Sequence, residues 1–152
     1  MSITTNDAIR KVGTQVTVEA NGGSCANNAI IQANDATYGV LTDGAGAPDA
    51  IFDLAVAYTT APTVNTTIDL YASEQDIAGT GDADTATATF KPVYIGSFVV
   101  NATGSSTVQN LRCYARNLPI LAYYSLFNNA TGQTINSGWT LKITPTTIGP
   151  SA

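Results

Sequence analysis

The sequence contains no histidine, only three lysines and two glutamates, and charged residues make up 11% of its 152 positions. Without imidazole there is no Ser-His-Asp or Cys-His catalytic set, and the commonest transition-metal ligand is missing. The shortage of Lys, Glu, Gln, Arg and Leu argues against a helical bundle, which draws on those residues. No apolar run approaches the ~20 residues of a membrane-spanning helix. The opening Met1–Asp7 lacks an apolar signal segment, so synthesis in the cytosol and no membrane partner are expected. The formal charge is −5 and the sequence pI about 4.2, the wrong sign for a nucleic-acid backbone. Arg112 and Arg116 are the only basic pair outside the N-terminus. Cys25 and Cys113 lie 88 positions apart in no metal or redox motif. They are expected as free core thiols, pairing only in an oxidising medium.

What is abundant points to strands and turns. Thr (23) and Ala (22) lead, followed by Gly (13) and Asn (12). Thr, Val, Ile and Tyr favour pleated strands, and Gly, Asn, Asp and Pro punctuate turns. Period-two alternation appears from Val16 to Ala20, with Val16, Val18 and Ala20 on one face and Thr17 and Glu19 on the other. It recurs at Ile51–Thr60, with Phe52, Leu54, Val56 and Tyr58 on one face, and at Thr66–Ser73. Further strands are expected at 93–100, 107–115, 120–127 and 139–144. Two short apolar stretches, 29–33 and 38–42, read as a hairpin, and 128–133 as the loop of another. The spacing predicts an all-β fold: one antiparallel β-sandwich or jelly-roll-like domain over 13–148, with an N-terminal arm (1–12) and a tail (149–152). A barrel is the competing closure. The arm is expected to hold a helical turn capped by Thr5 or Asn6 and stopped by Gly13. Its net charge is +1, against −6 for the remainder.

Candidate sites are few. Asp76, Asp82 and Asp84 lie in a Gly-punctuated acidic loop and supply the oxygen ligands calcium prefers. The loop matches no EF-hand spacing, and a solvated loop or an interaction finger suits it better. Asp53 and Asp69, on neighbouring strand candidates, have the residue types of a glycosidase pair. Alternation places both on the outer face, where carboxylates keep a sheet soluble. Tyr71, Tyr114, Tyr123 and Trp139 are the aromatic candidates for a protein interface or a sugar platform. The Asn-x-Thr sites at Asn65, Asn101 and Asn129 are about as many as chance produces in so Asn- and Thr-rich a chain. No nucleophile–base pair, phosphate loop or metal cluster is visible, so neither catalysis nor a cofactor is expected.

Several segments occur in a recognisable succession. Thr67-Ile68-Asp69-Leu70-Tyr71-Ala72 leads into Thr80-Gly81-Asp82-Ala83. Then come Lys91-Pro92-Val93-Tyr94-Ile95-Gly96-Ser97-Phe98, Asn117-Leu118-Pro119, Tyr123-Tyr124-Ser125-Leu126-Phe127-Asn128-Asn129 and Gly138-Trp139-Thr140-Leu141-Lys142-Ile143-Thr144-Pro145. Together with the opening Met1–Lys11, this order resembles small structural proteins of tailed bacteriophages. The resemblance implies a non-enzymatic capsid cement or decoration protein on the virion exterior. Its partners would be the major capsid protein and itself, as a trimer. It assigns capsid or partner contacts to the arm (Ile3, Ile9, Arg10, Lys11) and to Tyr71, Tyr114 and Tyr123. The alternative is a tail, fibre or head–tail connector module with host-glycan binding. Thr- and Ala-rich strands suit an interface protein on physical grounds, since short side chains lose little rotamer entropy on ordering.

Overall fold

Buried and half-exposed residues alternate without a break along Asp49–Val56, turning Ala50, Phe52, Leu54 and Val56 inward. The computed structural model describes residues 8–76 and 84–150. Its strands are β1 (Ala8–Val12), β2 (Val16–Gly22), β3 (Ile30–Gln32), β4 (Tyr38–Gly39), β5 (Asp49–Val56), β6 (Thr67–Glu74), β7 (Val93–Val99), β8 (Gln109–Ala115), β9 (Leu121–Asn129) and β10 (Trp139–Pro150). The expected all-β sandwich is present. One sheet runs β1-β10-β5-β8 with β2 also on β10; the other runs β3-β9-β6-β7 with β4 also on β9. Every strand pairing is antiparallel.

Each sheet therefore begins with an edge strand in two pieces, β1 and β2 along β10, β3 and β4 along β9. Counted by position, four strands face four. Every connection between positions except β6–β7 passes from one sheet to the other, which is the winding of a jelly roll. The inner faces close on one core. Phe52 of β5 meets Tyr124 of β9 across it, ring centroids 5.1 Å apart and tilted by 59°. Cys25 and Cys113 are both buried and free.

Four local expectations are corrected. Ala8–Val12 is not a helical turn but an edge strand. Lys11 faces Thr147 and Arg10 faces Ile148, so pairing with the chain's distant C-terminal end overrides local helix signals. Residues 29–33 and 38–42 form no hairpin with each other. Ile30–Gln32 pairs with Ser125–Phe127 and Tyr38–Gly39 with Leu121 and Ala122, so Asn34-Asp35 interrupts an edge rather than turning a hairpin. Residues 128–133 likewise carry the chain from the second sheet to the first. In β2 the alternation fails at Glu19, which is buried while Ala20 is exposed. Two register shifts against β10 flip the faces there. The Glu19 carboxylate accepts the backbone N–H groups of Asn21 (3.1 Å) and Asn34 (2.9 Å), which compensates its burial.

Trp139 is also in the core rather than on the surface, 1% exposed. Its indole N–H donates to the Gly23 carbonyl at 2.7 Å. The ring lies over Gly22, where a Cβ would stand 2.0 Å from Cε2. Gly22→Ala is therefore expected to cost at least about 2 kcal/mol by overpacking, measured by urea unfolding.

Burial pushes the Cys113 thiol up to about 12, helped by Asp53. Burial, and secondarily Asp43, does the same to the Tyr38 hydroxyl, up to about 12. Tyr58 also reaches about 12 through burial, with the Thr131 hydroxyl opposing the shift. Each native value exceeds the ordinary one of 9.0 or 10.0, so the fold favours the neutral forms. Their contribution to stability is complete below about pH 9 and is lost as the pH rises through about 9 to 12. No side chain is a histidine, the residue that ordinarily titrates between about pH 5 and 8. Thermal melts should therefore give a flat Tm from about pH 6 to 8.5 and a decline above about pH 9.

Candidate functional site

Because β6 and β9 point Ile68, Leu70, Ala72, Tyr124 and Leu126 inward, the intervening residues share the outer face of the second sheet. The register sets Asp69 opposite Phe127 and Tyr71 opposite Ser125 on one side. On the other it sets Asp69 opposite Ser97 and Tyr71 opposite Tyr94. The result is an aromatic strip of Tyr94, Tyr71, Phe127 and Tyr123. Tyr71 and Tyr94 meet edge-on at 5.6 Å, and the Lys91 ammonium sits 3.9 Å from the Phe127 ring centroid. Six aromatic residues fill the core, namely Tyr38, Phe52, Tyr58, Phe98, Tyr124 and Trp139. Of the remaining six, four lie on this one face.

Asp69 anchors the strip. Its carboxylate accepts the Ser97 hydroxyl at 2.6 Å and the Asn129 amide at 2.8 Å, and the Tyr94 hydroxyl lies 2.7 Å from that of Ser97. These bonds leave the aspartate only 7% exposed although it stands on the outer face. Burial, and secondarily Asp69 and Tyr94, raise the Tyr71 hydroxyl above its ordinary pKa.

Asp53, the other half of the imagined carboxylate pair, belongs to the first sheet. The two carboxylates stand on opposite outer faces with the core between them, so they form no catalytic pair. Asp53 instead accepts Arg112 at 2.6 Å and Gln15 at 3.3 Å. Such an exposed ion pair adds little stability. Tyr114 lies on that same opposite face, 64% exposed. Arg10 joins Tyr114, Arg116 and Thr146 around a depression of about 460 Å³.

The sandwich end formed by residues 23–29, 57–66, 100–108 and 130–138 contains no charged residue. Five non-glycine residues there have positive φ: Asn28, Asn65, Ser105, Ser106 and Ala130. Asn128 holds this end together. Its amide donates to the carbonyls of Cys25 (3.1 Å) and Gln133 (2.7 Å), and its oxygen accepts the Thr131 hydroxyl (2.6 Å).

The sequence candidates thus divide. Tyr71 and Tyr123 come together, Tyr114 joins Arg10 elsewhere, and Ile9 and Lys11 lie on the edge strand β1. Ile3 and Asp82 fall outside the described residues. Asp76 and Asp84 are exposed at the two ends of the acidic connection. No group of three potential metal ligands occurs among the described residues. Tyr94 and Phe127 were missed by sequence reasoning, although outward alternation with Tyr124 and Leu126 marks Phe127. No protein-family model, curated protein or solved structure matches the chain.

Asn128→Ala should cost about 2–3 kcal/mol, because it removes three hydrogen bonds of about 1 kcal/mol each in a buried setting. Chemical denaturation measures the loss, and an unchanged midpoint would show that this end is held in another way.

Proposed function

We propose that the protein is a virion structural protein, a capsid cement or decoration protein that binds the head of a tailed bacteriophage from outside. The aromatic strip of the second sheet carries the proposal. Three of the segments that carry the phage resemblance, Thr67–Ala72, Lys91–Phe98 and Tyr123–Asn129, fall on β6, β7 and β9. Those three strands are neighbours, and their outward side chains build the strip. Tyrosine and phenylalanine are enriched at the buried centres of protein interfaces, where a few such rings supply most of the binding energy.

The action is mechanical. Contact area laid across joints between major capsid subunits opposes their separation as packaged DNA pushes outward. The outer edge of β1 adds a second means of attachment. As an edge strand it offers backbone donors and acceptors to an extended segment of a neighbouring capsid chain. This function uses neither catalysis nor a cofactor, and it involves neither nucleic acid nor membrane. The same tyrosine faces also suit stacking on sugars, which favours host-glycan binding by a tail or fibre module as the second reading.

Cosedimentation with DNA-free heads lacking the protein tests the first reading. Wild-type protein should bind, and the double variant Tyr71→Ala/Phe127→Ala should bind at least about tenfold more weakly. Asn110→Ala, on the opposite face, should bind as wild type does. Full affinity in the double variant, or no wild-type binding to heads, overturns the proposal. Copy number per virion separates the two readings: hundreds for a head protein, a few dozen or fewer for a tail or fibre module.

A further inference from the structure

Among the described residues the formal charge is −3, and it is divided by sheet. Arg10 and Lys11 on β1, Arg112 on β8, Arg116 just beyond it and Lys142 on β10 all belong to the first sheet or its margin. Against these five cations stand Glu19, Asp49 and Asp53, leaving +2. The second sheet and its margins carry Asp35, Asp43, Asp69, Glu74, Asp76 and Asp84 against Lys91, leaving −5. Arg112 is paired with Asp53, whereas Arg10, Arg116 and Glu74 have no ion pair among the described residues.

Arg10, Arg116 and Glu74 lie at one end of the sandwich, where β5, β7 and β9 begin and β6, β8 and β10 finish. On the first-sheet side, Arg10 and Arg116 border the 460 Å³ depression, whose walls include Tyr114 and Ile95 but no carboxylate. On the second-sheet side, Glu74 borders a depression of about 280 Å³ with Ile120 and Leu121. Leu41 (64% exposed) and Ile120 (53% exposed) line a small apolar hollow next to it. One chain thus carries both halves of a complementary contact, one on the first-sheet side and one on the second.

We propose that copies of this chain associate head to tail through this end. The arginine depression of one copy receives Glu74 and the Leu41–Ile120 rim of the next. Two different patches of the same chain make a heterologous contact, which closes into a ring when the rotation between copies allows it. The occupant is a second copy because the opposite charges and the apolar rim are offered by the chain itself. Desolvation of Leu41 and Ile120 supplies area, and the unpaired charges supply orientation. The inference rests on the structural-protein function proposed above and names the surface by which that protein meets itself.

Analytical ultracentrifugation of the free, full-length protein tests it. The wild type should sediment as a closed oligomer, with a trimer as the expected size, and should shift toward monomer between about 0.15 and 1 M salt. Arg116→Glu alone and Glu74→Arg alone should each be monomeric. The combined Arg10→Glu/Arg116→Glu/Glu74→Arg chain should recover the oligomer, because both arginines of the depression and the glutamate they receive then exchange sign. Circular dichroism confirms that the variants keep the strand content. A monomeric wild type at about 100 µM, oligomers that persist in both single variants, or no recovery in the combined chain would each overturn the proposal. Head binding is scored separately, so a ring that ignores heads defeats the proposed function while leaving this contact standing.

Discussion

The register between β6 and β9, with Asp69 opposite Phe127 and Leu70 opposite Leu126, is the constraint on which the rest depends. A slip of β9 by one residue would send Tyr123 and Phe127 toward the core and bring Tyr124 and Leu126 to the surface. The same pairing thus builds the interior and the aromatic strip. Asp69 fixes it from outside, since Ser97 of β7 and Asn129 of β9 both donate to its carboxylate. A buried acceptor with two correctly placed donors tolerates no neighbouring register.

Much of this architecture was legible in the sequence wherever one strand carries its own pattern. Alternation in Asp49–Val56 and Thr67–Glu74 places core residues without reference to any partner. It fails where the deciding partner is remote. Arg10 becomes part of a strand only through residues near 148, and no local window contains that information. Glu19 is turned inward by bulges against β10, which the composition of Val16–Gly22 does not reveal. Trp139 has the residue type of an interface anchor, but Gly22 and Gly23 make the slot that takes it into the core.

The candidate surfaces were legible only in part for the same reason. Tyr71 and Tyr123 were recognised singly, yet their neighbourhood with Tyr94 and Phe127 depends on strand order, which no spacing along the chain discloses. Charge shows this most clearly. Split along the sequence, it gives a weakly basic arm on an acidic body. Split by sheet, it places Arg10 with Arg116 on one side and Glu74 with Asp43 on the other. The first division suggests only attachment through a terminus, while the second supplies a molecule with complementary sides. Few long charged side chains, an outer face of rings and an end without any charge are consistent with a protein whose surface is mostly contact.

Hydroxyl-radical footprinting with peptide mass spectrometry, comparing free and head-bound protein, tests the central claim most directly. Oxidation of Tyr71, Tyr94, Tyr123 and Phe127 should fall sharply on binding, while Tyr114 on the opposite face should show no further protection. Equal oxidation of the four rings in free and bound protein would contradict attachment through the second sheet.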